Sequence, residues 1–257
     1  MTDSGKRKVR MLGAGQKYQI KDGIRMGLIG LVMGMLVFFS ADNYLMPFYY
    51  VSGDILEQQD FFHVIFFWDN FQDRVYMSRT SMDFLSVALF YFLPAGILAV
   101  RHYAEAGKEY YGFLAVRSGN AHDLLKRILG KQWMPFLVYT YAYAIGAVLC
   151  IKVKYPDIPC RPFRTTVACL GLFGISRAMA LNLFSHILFW IYLKWNAGIA
   201  VFSGYIIMPA VLLADANVES VNICLFHYEN YFMDSIAILS VCSVAVYLAE
   251  RRMKIRI

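Results

Sequence analysis

Six apolar runs, each near the length of one bilayer crossing, divide this chain, and almost every charge lies between them. A run of roughly 20 apolar residues crosses the hydrocarbon core as one helix, because a helix satisfies its own backbone polar groups. Soluble domains break such runs with charge, at about 25% charged residues on average; here 17% of the 257 residues are charged and 59% hydrophobic. The sequence therefore predicts an all-α integral membrane protein of six transmembrane helices, with residues 1–257 forming a single transmembrane domain.

The spans are expected at Gly23 to Ala41, Phe84 to Val100, Met134 to Ile151, Val167 to Leu193, Ala197 to Ala214 and about Tyr231 to Ala249. Residues 1–25 form a basic amphipathic flank, read as a retained anchor without a cleavage site. Residues 42–83 form a long acidic loop, and residues 215–234 a second loop with four acids and no Lys or Arg. Within the first loop, Phe61 to Trp68 is too short to span and is expected in the interface or packed on the bundle, with His63 a packed residue. Gly23, Gly27, Gly30 and Gly34 in the first span let another helix approach closely, either within the chain or from a second subunit.

Charge orients the spans. With both termini cytoplasmic, the inner segments hold 18 Lys and Arg and the outer loops 6, while 12 of the 18 acids fall outside. The positive-inside rule thus expects cytoplasmic N and C termini, with 42–83 and 215–234 extracellular. One loop, from Lys152 to Thr166, runs against the rule. Cys160 and Cys224 fall in loops placed outside, where a disulfide is permitted; both pairing and free thiols remain open.

Chemistry is sparse. The chain has no CxxC pair, no HExxH, no Gly-x-Ser-x-Gly and no phosphate loop, since Gly13-Ala14-Gly15-Gln16-Lys17 has the wrong spacing. No acid sits in the centre of any span, which argues against an ion-coupled carrier with a buried carboxylate. The fourth span alone carries ionisable candidates, Arg177 and His186, with Asn182. Asn182 and His186 share a helix face, while Arg177 lies about 140° from Asn182 at 100° per residue. These three are candidates for a translocation path, against a plain interhelical hydrogen-bond pair with an arginine that snorkels toward the outer headgroups.

The remaining unusual stretch is the charged insert 101–133 between the second and third spans. From Asp123 to Trp133 the residues Leu124, Leu125, Ile128, Leu129 and Trp133 recur at helical spacing, giving an amphipathic inner helix. Glu105 with Gly107, Phe113-Leu114, Arg117-Ser118-Gly119-Asn120 and Gly130-Lys131, together with the basic start and six spans, resemble the small permeases of the ABC-2 type.

That resemblance implies a membrane-spanning permease subunit of an ATP-driven transporter, in the bacterial cell membrane, that exports an amphipathic peptide or a lipid-like compound. It implies a coupling helix between spans two and three, with Glu105, Gly107, Arg117, Asn120, Asp123, Lys126 and Lys131 facing a separate ATPase. The expected partners are two ATPase copies, a second permease subunit, alike or related, and membrane lipid, with no nucleic acid. This chain would itself be no enzyme and bind no cofactor or metal, ATP and Mg belonging to the ATPase. A membrane-embedded sensor or immunity protein that binds an extracellular ligand through 42–83 is the alternative.

Overall fold

The computed structural model describes residues 3–52, 55–66, 82–106, 111, 130–159, 163–217 and 231–252. Seven α-helices make up nearly all of them: α1 (Asp3–Ser52), α2 (Gln58–Ile65), α3 (Met82–Ala106), α4 (Trp133–Lys154), α5 (Phe163–Lys194), α6 (Ala197–Asn217) and α7 (Tyr231–Arg252). A 3₁₀ turn, Gly130–Gln132, leads into α4. Among the described residues, α1 and α3 to α6 hold stretches long and apolar enough to cross a membrane, and α7 carries a shorter apolar stretch, Ser235–Ala249. The architecture is that of an all-helical, multi-pass membrane protein.

The first helix is far longer than its expected span. It begins in the basic flank and runs unbroken through Ser52, with Pro47 inside it. Proline removes one backbone donor but need not end a helix whose neighbours hold it. Here the holding group is Asp42, which is buried and binds Lys154 and Tyr155 at the end of α4. The first part of the segment expected as an outer loop is therefore helix.

Packing between α1 and α4 is the closest in the molecule. A Cβ added to Gly30 would land on the Tyr139 carbonyl, and one added to Gly34 on the Tyr143 carbonyl. Gly146 of α4 returns the relation, its missing Cβ lying against the Leu31 carbonyl of α1. Small residues on both helices thus let the two backbones touch, which is how helices gain contact where lipid offers no hydrophobic drive. A Cβ added to Gly27 would lie 3.1 Å from a Val138 methyl, whereas one added to Gly23 would meet nothing within 4 Å. Three glycines of the stripe are consumed inside the chain.

Tyrosines bind α3 to α4. The Tyr91 and Thr140 hydroxyls lie 2.6 Å apart, and Tyr139 donates to the Tyr91 carbonyl at 2.6 Å. A buried aromatic that finds a partner for its hydroxyl keeps its apolar area in the core at no polar cost. At the other end of the bundle, α5 and α6 are joined by the expected tight turn. Asn196 caps α6 there, its side chain accepting from the Ile199 N–H at 2.8 Å.

Candidate functional site

One stripe of α5 faces the bundle interior. Phe173, Arg177, Leu181, Phe184, Leu188 and Tyr192 recur every three or four residues and are all buried. Arg177 is in its middle and has no exposed surface at all. An arginine side chain is long enough to reach headgroups from this depth, and the sequence allowed it to do so. Instead it turns inward. Its Nη2 donates to the Ser235 hydroxyl of α7 at 3.1 Å, and its Nε lies 3.5 Å from the Ser176 hydroxyl. Ser176 in turn donates to the Phe173 carbonyl at 3.1 Å.

Asn182 and His186 do not join it. Both are half-buried on the other side of α5, in keeping with the angle between them and Arg177. The Asn182 side-chain oxygen is buried with no hydrogen-bond partner among the described residues, and so is the Trp190 indole N–H two turns on.

The charged insert is rooted on the same helix. Tyr103, in the last turns of α3, donates to the Gln132 side chain at 2.8 Å, and Gln132 immediately precedes α4. The two ends of the insert are thus tied to each other. Tyr103 meets Phe189 of α5 at a tilt, with ring centroids 4.6 Å apart, and its hydroxyl also lies 3.5 Å from the Ser185 carbonyl of α5. Tyr111, inside the insert, donates to the Tyr103 carbonyl at 3.2 Å and meets Phe189 edge-on at 5.2 Å. Phe189 is about three turns from Arg177 along α5, about 18 Å at 1.5 Å per residue.

Of the residues expected to face an ATPase, Glu105 is exposed at the end of α3 and pairs with Arg101 at 3.0 Å. Lys131 belongs to the 3₁₀ turn. Gly107, Arg117, Asn120, Asp123 and Lys126 lie outside the described residues, as do Cys160 and Cys224. Cys150 and Cys242 are free thiols among the described residues. Among the described residues no group of His, Cys, Asp or Glu is placed to hold a metal ion.

A second polar cluster closes the far end of α4. Asp42 of α1 accepts from Lys154 and, at 2.5 Å, from the Tyr155 hydroxyl. Burial, and then the Asp42 carboxylate beside it, pushes the Tyr155 hydroxyl up to about 12. The sequence reading missed Ser235, Tyr103, Gln132, Tyr111 and this cluster. One signal was present: tyrosines inside apolar runs need partners.

Comparisons with protein families, with curated proteins and with solved structures find no match to this chain.

Proposed function

We propose that this chain is the membrane-spanning subunit of an ATP-driven exporter resembling the ABC-2-type permeases, set in a bacterial cell membrane with both termini in the cytoplasm. The observation that carries the reading is the rooting of the insert on α5. Tyr103 and Tyr111 fasten its start to the helix that carries the buried Arg177, and Gln132 ties its end to Tyr103. A push on the insert from a partner would be conveyed along α5 as a rigid body, toward the charge that costs at least ~2.5 kcal/mol to place at a bilayer centre. Such a charge is a default functional candidate in a membrane bundle. The cargo in this reading is an amphipathic peptide or a lipid-like compound, and the energy comes from two copies of a separate ATPase.

The sensor or immunity alternative depends on the 42–83 segment presenting an exposed face. Among the described residues of that segment, Phe61 to Phe66 are buried against the bundle, while Tyr50 and Ile55 are exposed.

The test is co-purification of the full chain with a candidate ABC ATPase, followed by ATP turnover in proteoliposomes. Charge reversal at Arg117 and at Lys126 is expected to lower turnover at least fivefold, or to break the complex. Tyr103→Phe should lower turnover while leaving the complex assembled. If no ATPase co-purifies, or if all three variants turn over ATP like the parent, the reading fails.

A further inference from the structure

An apolar groove runs between α3, α5 and α6, three of the helices long and apolar enough to cross a membrane. Leu93 and Ile97 of α3, Phe184 and Leu188 of α5 and Val201 of α6 line it, and Gly96 and Gly204 complete its walls. The glycines make the space. A Cβ on Gly96 would fall 2.6 Å from the Phe184 ring, and one on Gly204 would meet Leu188 at 3.4 Å and Phe184 at 3.5 Å. Two helices thus give up a side chain where Phe184 reaches between them. The space left there is about 170 Å³ and is continuous with the outside of the bundle.

That volume and lining select an occupant. A helix, about 10 Å across, cannot enter it, and a polar group would find no polar side chain on its walls. A single alkyl chain meets both limits, and alkyl chains surround these helices in a bilayer. Moving from bilayer to groove, such a chain leaves one hydrocarbon setting for another and gains packing contact alone. Specific binding therefore needs a second hold on the same molecule, and the bases beyond the groove provide it. Arg101 continues the Leu93 and Ile97 ridge at i+4 spacing, one turn further along α3. Its Nε pairs with Glu105 at 3.0 Å, and the side chain is 63% exposed, so its terminal nitrogens stay open to a further acceptor. On the α6 side, Trp195 precedes Val201 by about 9 Å at 1.5 Å per residue. Lys194 and Trp195 are both exposed, with the Lys194 ammonium 4.6 Å from the Trp195 ring centre. Arg101 and Lys194 stand near the ends of the crossing stretches Ser86–Glu105 and Thr166–Lys194, the level at which headgroups and interfacial tryptophans lie.

We propose that this groove is a lipid site, which takes one acyl chain of an anionic phospholipid from the surrounding bilayer while Arg101 and Lys194 hold its headgroup. Basic residues between spanning helices at the headgroup level are the usual means of selecting an anionic lipid. The proposal needs only the membrane setting and stands or falls independently of any ATPase.

The test titrates the full chain in detergent micelles with phosphatidylglycerol and with phosphatidylcholine of the same acyl chains, and counts bound lipid by native mass spectrometry. The parent is expected to bind one phosphatidylglycerol about tenfold tighter than phosphatidylcholine. Arg101→Gln combined with Lys194→Gln should erase that preference. Val201→Phe fills the groove from its half-buried lip and should weaken both lipids about threefold while keeping the preference. Gly204→Leu fills the groove from its wall and should act in the same direction, and lipid-free melting temperatures show which groove variant stays folded. Glycerol phosphate, a headgroup without a chain, should not displace the lipid. The proposal is overturned if the parent does not prefer phosphatidylglycerol, if the paired charge variant keeps the preference, if neither groove variant weakens binding, or if glycerol phosphate displaces the lipid.

Discussion

The α1 and α4 half of the bundle and the α5 and α7 half use opposite strategies. In the first, glycines on both helices bring backbones into contact, and a buried acid, Asp42, has a lysine and a tyrosine at hydrogen-bonding range. In the second, the described side chains of α7 are buried at Ser235 and Leu239, while Val241, Val244, Tyr247 and Leu248 stay exposed. The charge buried there, Arg177, binds the Ser235 hydroxyl of that partly exposed helix. Tight backbone contact suits a fixed frame, since nothing in it can slide without a clash. A charge bridging to a helix whose outer face is exposed suits a part that shifts. The contrast makes α1 and α4 the frame and α5 with α7 the part that works against it.

If the frame rests on glycine contact, Gly34→Leu should do the greatest damage. The new side chain would meet the α4 backbone at Tyr143, which cannot yield as a flexible side chain can. The expected outcome is loss of at least ~3 kcal/mol, seen as collapse of the monodisperse peak in size-exclusion chromatography after mild heating. Gly23→Leu, with open space around it, should leave the peak unchanged. Equal tolerance of both would break the comparison at its firmest point.

Arg177→Ala comes next. It empties a fully enclosed volume and leaves the Ser235 hydroxyl without its donor, at a cost of about 2–5 kcal/mol in thermal unfolding. Ser235→Ala removes only the hydroxyl and should cost about 1 kcal/mol. It should also raise hydrogen exchange in α7 while leaving α1 and α4 protected. Uniform loss of protection across all helices would show the two halves to be one cooperative unit.

How much of this the sequence disclosed follows from what each feature depends on. Spans are written in hydropathy, so α3 to α6 fall close to their expected places. α1 overran its expected span because its extension depends on Asp42 meeting Lys154 and Tyr155, residues over a hundred positions away. Of the four bases in the loop that ran against the positive-inside rule, Lys154 is paired with Asp42 of α1. Arg177 was legible as the costly residue, but not its inward turn, which needs Ser235 on a distant helix. The glycine stripe could be seen as a packing face, yet only the α4 carbonyls against it show where that face is used.

Asp42→Asn probes the frame more gently. The neutral amide keeps the shape but loses the charge-assisted bonds from Lys154 and Tyr155. Because the Lys154 side chain is 46% exposed, water can solvate the freed ammonium, and the cost should be about 1 kcal/mol in thermal unfolding. High salt should narrow the gap between parent and variant.

The smallest effect has the most specific signature. Tyr155 is held neutral in the folded protein, its hydroxyl raised from 10.0 to about 12 by burial and then by Asp42. In the unfolded chain it loses its proton near 10, so above that pH the unfolded state binds fewer protons than the folded one, and stability falls as pH rises. The contribution is fully present below pH 10 and is lost as pH rises through about 12. The melting temperature of the parent should therefore drop between these values more steeply than that of Tyr155→Phe, which has no proton to lose at this site. Asp42→Asn should lie between them, since burial persists while the neighbouring charge is gone. Should the parent and Tyr155→Phe fall with the same slope, Tyr155 would be open to solvent in the folded protein, and the frame would end before the close of α4.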